Sequence, residues 1–155
     1  MRPSEFLALA TAILCFACRQ PPSVAPSPMQ LLFEHVLTFR DTSLLERAVA
    51  DSLIFHARGQ SATVSRPQLW QMSQPILTAF PDARFRVEDQ VISGDKVAAR
   101  ISLAGTHRGA WSGIQPTNRR IQVSEMFICR VKRQRLTECW QEWDELGLRR
   151  QLEAP

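Results

Sequence analysis

Asp95-Lys96-Val97-Ala98-Ala99-Arg100-Ile101-Ser102-Leu103-Ala104-Gly105-Thr106-His107 repeats with period two. Val97, Ala99, Ile101 and Leu103 share a face with Gly105 and His107, whereas Arg100, Ser102 and Thr106 point the other way. The alternation predicts a long strand with one face on a core, and it brings a histidine to the apolar side at the strand's end. The same period continues on both sides. Phe85, Val87 and Val91 predict a strand before it, and Ile121, Val123, Phe127, Cys129 and Val131 predict one after it. A tight basic turn at Lys132 to Arg135 then leads into a last strand, Leu136 to Asp144.

Upstream of Pro81-Asp82 the period is helical. Met29, Leu32, Phe33, Val36 and Phe39 predict a first helix. Asp41 stands at an N-cap position before Leu44, Leu45, Ala48 and Val49, which predict a second short helix to about Ala50. Ser52 to His56 is a short strand candidate, and Gly59 to Thr63 reads as loop. Ser65 and Gln68 form a capping box with Pro67 in the first turn. The third helix carries Leu69, Trp70, Ser73, Ile76, Leu77 and Phe80 on one side, with Pro75 expected to kink or interrupt it. Helices first and strands afterwards predict an α+β fold, with helices packed on one face of a curved antiparallel sheet.

The 155 residues suit one domain with a single substantial core. A hydrophobic share of 45% and a net charge of +4 are ordinary for a globular protein. The basic residues are dispersed rather than gathered with aromatics on one face, which argues against nucleic acid as a partner. The beginning of the chain differs. Arg2 precedes an apolar run from Phe6 to Ala17 that is too short to span a bilayer as a helix but fits a signal-peptide core. Ala17-Cys18 looks like a lipoprotein cleavage site, with Cys18 becoming the lipidated first residue; Cys15 and Glu5 depart from that pattern. An ordinary signal peptide or an uncleaved anchor is the alternative. Residues 19–28 contain four prolines and read as a semi-extended tether, placing the folded domain at 29–155. The expected location is therefore the bacterial cell envelope, with the membrane reached through the lipid anchor.

Several residues could carry chemistry. His107, on the apolar parity, is either a buried histidine satisfied by the backbone or an acid/base group. Asp144 falls on the parity of Leu136 and Trp140, where desolvation would lift a carboxylate pKa toward a useful range. It could equally cap the following turn. Glu138 and Glu142 share that parity, which cannot choose among the three. Glu125 falls between Val123 and Phe127 on the apolar side, so it marks a pocket acid or a bulge that resets the register. His56, Trp70, Trp111, Trp140 and Trp143 are candidate pocket walls, or plain core. Cys129 and Cys139 flank the basic turn. A three-residue loop sets them opposite each other, able to form a disulfide, whereas a two-residue loop leaves them one register step apart. The three histidines and four cysteines show no metal-ligand spacing, and neither a phosphate-cradling Gly loop nor a Gly-x-Ser-x-Gly elbow is present.

Phe80-Pro81-Asp82, Gly94-Asp95-x-Val97, Gly105-Thr106-His107-x-Gly109, Gly113-Ile114-x-Pro116-Thr117, Glu138-x-Trp140 with Asp144, Gly147-Leu148 and Gln151-Leu152 occur in an order and spacing that resemble the SnoaL-like polyketide cyclase (ester cyclase) family. Asn118 stands where that pattern usually has Gly, and Asn tolerates the same left-handed turn. The resemblance covers roughly Asp51 to Leu152. It implies the nuclear-transport-factor-2-like cone, a bent sheet wrapped around a long helix with a deep apolar pocket. It also implies aldol-type ring closure without metal or cofactor. By the same resemblance Asp144 is the general acid/base and His107 its pocket partner, and that match together with strand parity predicts one cavity walled by Trp140, with His56 and Trp70 at the margin. The expected ligand is a small apolar or aromatic carbonyl compound. A non-catalytic binding module and an envelope interaction domain remain alternatives, and a homodimer is left open.

Overall fold

The computed structural model describes residues 25–154. The expected signal segment, Cys18 and most of the Pro-rich tether lie outside them. Among the described residues the first helix starts at Pro28, one residue ahead of Met29. Ser27 caps the first helix in a capping box with Gln30, and Pro28 occupies the first turn, where its missing N–H costs nothing. This helix, α1, runs over 28–39 and is π-helical through Leu31–Leu37. Asp41 caps a single 3-10 turn, Thr42–Leu44, which leads into α2, Leu45–Ala48.

Six strands follow: β1 (Val49–Ala57), β2 (Gln60–Ser65), β3 (Arg84–Ser93), β4 (Lys96–Thr106), β5 (Arg120–Lys132) and β6 (Arg135–Trp143). They form one unclosed, curved sheet in the order β2-β1-β6-β5-β4-β3. Every neighbouring pair is antiparallel except β1 and β6, a parallel pair that corrects the all-antiparallel expectation. α3 (Arg66–Ala79) lies between β2 and β3, and α4 (Glu145–Glu153) follows β6. Helices and concave face enclose one core in which Phe33 meets Phe127 at 4.9 Å and Phe85 at 6.1 Å between ring centroids. The sheet bends at irregularities in the ladder, one between Val87 and Asp89 and one opposite Arg130 and Val131.

Four local expectations are corrected. The strand predicted from Ser52 begins at Val49, so the second helix stops at Ala48. Gly59 to Thr63 is mostly strand. Arg58 and Gly59, with φ of 52° and 72°, make a two-residue hairpin turn into β2, an edge strand with only Val64 buried. Pro75 does not interrupt α3. Near it the Ser73 hydroxyl and the Gln74 amide both donate to the Trp70 carbonyl, at 2.7 and 3.2 Å. The last strand ends at Trp143, and Asp144 starts α4, whose Leu148 and Leu152 are buried one turn apart.

Candidate functional site

Between α1, α3 and the concave face of the sheet lies a cavity of about 550 Å³. Its walls are chiefly apolar: Leu32, Phe33 and Leu37 from α1, Leu69, Met72 and Ile76 from α3, and Phe55, Phe85, Phe127 and Trp143 from the strands. Trp111 closes one end and meets Trp143 edge-to-face at 5.9 Å. Two lining side chains are titratable, Glu125 and Arg58. Arg58 is largely exposed at the rim, where its guanidinium lies over Trp143 at 5.9 Å and pairs with Glu145 at 3.0 Å.

Glu125 is the cavity's acid. The alternation of β5 runs unbroken from Ile121 to Cys129, so Glu125 faces inward by parity, and only 5% of it is exposed. No bulge intervenes at this position. The Gln141 amide donates to Glu125 Oε2 at 2.7 Å. Burial pushes the carboxyl above the usual range, and the Gln141 hydrogen bond offsets this only in part. A desolvated carboxyl in an apolar cavity can, when protonated, donate a hydrogen bond to a carbonyl and, when ionised, take a proton from the neighbouring carbon.

Asp144 and His107 do not join it. Asp144 is exposed, and its Oδ1 accepts the Gly147 N–H at 2.7 Å as the N-cap of α4. The reason is a bulge in β6. Val131 pairs with Leu136 but Arg130 pairs with Glu138, so Thr137 is extra and the faces exchange beyond it. Leu136 points in; thereafter Cys139, Gln141 and Trp143 carry the inward parity, and Glu138, Trp140 and Glu142 the outward one. Trp140 is therefore not a cavity wall. It stacks on His56 across the convex face, with centroids 4.7 Å apart and planes within 3°. Trp70 borders a separate shallow depression beside Asp51 and Arg66. Of the sequence-predicted residues, the structure brings Glu125, Trp111 and Trp143 to the cavity, and with them Gln141 and Arg58, which parity missed.

The bulge also settles the cysteines. Lys132 pairs with Arg135 around a two-residue turn, Arg133-Gln134, with φ of 50° and 60°. The extra Thr137 then restores the missing register step, and Cys129 and Cys139 face each other in a disulfide on the buried side.

His107 is fully buried. Thr117 donates its N–H to Nδ1 at 3.2 Å, which puts the neutral ring's proton on Nε2, where no hydrogen-bond partner stands among the described residues. Burial holds its pKa below the ordinary histidine value, and a weaker interaction with the Gly109 backbone, outside hydrogen-bond geometry, opposes this only in part. The surrounding motif residues lock three segments together. Asp82 accepts from the Thr106 N–H and hydroxyl, both at 2.7 Å, and these bonds lower its pKa. Arg108 and Gly109 N–H groups donate to the Ala79 carbonyl at the end of α3. A Cβ on Gly109 would stand 2.5 Å from the Thr78 carbonyl oxygen, so only glycine fits. Asn118 has φ of 57°, the left-handed conformation expected of it, and its N–H donates to the His107 carbonyl.

Fold, motif order and apolar cavity define the class. The SnoaL-like polyketide cyclase family matches residues 28–152, and the chain belongs to it. Among solved structures, IdmH from Streptomyces antibioticus is 25% identical, covering 82% of this chain and 99% of that one, with a TM-score of 0.70. TsrD from Streptomyces laurentii is 22% identical over 83% of this chain and 93% of that one, with a TM-score of 0.71. A SnoaL-like polyketide cyclase from Agrobacterium tumefaciens is 19% identical over 82% and 98%, with a TM-score of 0.67. No curated protein matches.

Proposed function

We propose that this domain binds a small apolar or aromatic carbonyl compound in the cone cavity and cyclises or isomerises it by acid/base chemistry on Glu125. The observation that carries this reading is a buried carboxyl, bonded to Gln141, in an otherwise apolar chamber. As a general base the carboxylate takes a proton from the carbon beside the carbonyl. As an acid it then returns the proton to the alkoxide oxygen left by ring closure or, in an isomerisation, to a different carbon of the enolate. Gln141 positions it, and its amide oxygen, which no side chain or backbone donor meets among the described residues, can accept from a substrate hydroxyl.

Proton exchange from a small enolisable aryl ketone in deuterated water, followed by NMR, tests the proposal. Glu125→Gln should keep the ketone bound and slow exchange by roughly a hundred- to ten-thousand-fold. Asp144→Asn should leave exchange unchanged, because Asn caps a helix as well as Asp does. Exchange lost in Asp144→Asn and kept in Glu125→Gln would reverse the assignment. Ketone binding without exchange in the native protein would leave a carrier or sensor.

The apolar run ending at Ala17-Cys18 and the prolines after it support a second part of the reading, an exported domain anchored through lipid on Cys18. Two acyl chains on the thioether and a third on the amine would hold it firmly, since one chain alone binds marginally. The intact mass of the membrane-extracted protein decides this: an unmodified amino terminus at Met1 contradicts it.

A further inference from the structure

His56, assigned by sequence to the pocket margin, lies instead on the convex face at the centre of a hydrogen-bonded row that crosses the sheet. Ser61 Oγ stands 2.6 Å from its Nδ1, and Glu138 Oε1 stands 3.0 Å from its Nε2. Arg130 Nε holds the other Glu138 oxygen at 3.1 Å, and Arg130 Nη1 reaches Asp95 at 3.0 Å. The ring is fixed from below by its parallel stack on Trp140. With Glu138 accepting from Nε2–H, Nδ1 is left as a base pointed at a serine hydroxyl.

The hairpin explains why these side chains meet. Ala57 and Gln60 close the two-residue turn as the hydrogen-bonded pair, so His56 and Ser61 form the next, non-hydrogen-bonded pair, in which side chains approach most closely. At such a pair the backbone N–H of Ser61 points away from β1. Because β2 is the sheet edge, that N–H has no strand to receive it among the described residues. Exposed Ile54, on the same face two residues before His56 and diagonal to Ser61, supplies apolar surface near the hydroxyl.

We propose that Ser61, His56 and Glu138 form a second, solvent-facing acyl-transfer site that takes small aryl esters, on the opposite side of the sheet from the cavity. Ser61 Oγ attacks the ester carbonyl while His56 Nδ1 takes the hydroxyl proton, and the developing oxyanion meets the free Ser61 N–H. The C–O bond to the phenol breaks, and the phenolate takes the proton from His56. Water then gives a proton to the same nitrogen and attacks the acyl carbon; the bond to Ser61 Oγ breaks, Oγ takes that proton from His56, and the acid leaves. Ser61 and His56 are the catalytic residues here, and Glu138 is a positioning residue. One backbone donor on an open face implies a slow site, whose signature is a reactive serine.

The test treats the full chain with a fluorophosphonate probe, in which Ser61 Oγ displaces fluoride from phosphorus. The expected result is one adduct on the tryptic peptide 59–84, since trypsin does not cut the Arg66–Pro67 bond, placed by fragmentation on Ser61 rather than Ser65 or Ser73. Ser61→Ala should abolish it. His56→Phe, which keeps the stack on Trp140 but removes the base, should slow labelling by about a hundred-fold, the low end for one general base. Glu138→Gln should lower the maximal labelling rate and leave the half-saturating probe concentration unchanged. Thermal unfolding of each variant confirms the fold. An unlabelled Ser61 in the native chain overturns the proposal, as does equal labelling in a folded His56→Phe. Ketone binding in the cavity should not change in any of the three variants.

Discussion

Glu125 sits at a strand position that alternation reserves for an apolar side chain, and no local sequence signal says whether such a carboxylate is buried or displaced by a bulge. The unbroken ladder of β5 decides for burial. Its raised pKa links protonation to stability. A carboxyl whose folded pKa lies above its unfolded value, about 4.3 for Glu, stabilises fully below that value and loses its contribution as pH rises through the folded pKa. Glu125→Gln cannot ionise. Urea unfolding should therefore show the variant gaining on the native protein as pH rises above about 4.3, whereas a pH-independent gap would mean that the carboxyl is not desolvated. His107, Gly109 and Asp82 teach the reverse lesson. Their motif was legible, but what it encodes here is the junction of α3, β4 and the 107–118 loop. Removing the buried imidazole in His107→Ala should cost about 2–4 kcal/mol in chemical unfolding, as a large-to-small core substitution does. Retained stability would show that the ring is not part of the packing.

At the scale of elements, strong periodicity was readable and weak periodicity was not. β4 and β5 follow their sequence pattern because one face of each is buried along most of its length. β2 escaped because Gln60-Ser61-Ala62-Thr63 is an edge segment that needs no apolar alternation. α4 escaped because Gly147 interrupts a stripe that then consists of Leu148 and Leu152 alone. The decisive error was in β6. A one-residue bulge leaves no mark in composition, yet it turned Trp140 and the three carboxylates of that strand's end away from the cavity and turned Gln141 and Trp143 toward it. The same bulge aligns Cys129 with Cys139, and their cross-link pins the register that places Gln141 against Glu125. The closed loop is short, and loop-closure entropy assigns the bond about 2–3 kcal/mol. Reduction before urea unfolding should lower stability by that amount; an unchanged midpoint would mean that the paired hairpin already imposes the constraint.

For the molecule as a whole, helices preceding a run of strands sufficed to predict the α+β class, and the motif order sufficed for the family. The cavity was legible as a consequence of that fold, and its apolar character follows from α1 and α3 facing the concave sheet. Which acid serves it was not legible, because that depends on register across β5 and β6 rather than on either strand alone. The central claim is that Glu125 is a desolvated, ligand-facing acid inside the cone. Carbon-13 NMR of the side-chain carboxyl carbons, titrated with pH with and without a small aryl ketone, tests it most directly. The account predicts a Glu125 resonance, identified by its loss in Glu125→Gln, that titrates above the ordinary carboxylate range and shifts when the ketone is added. A Glu125 resonance that titrates near 4.3, the value for a solvated Glu, and ignores the ketone would contradict it.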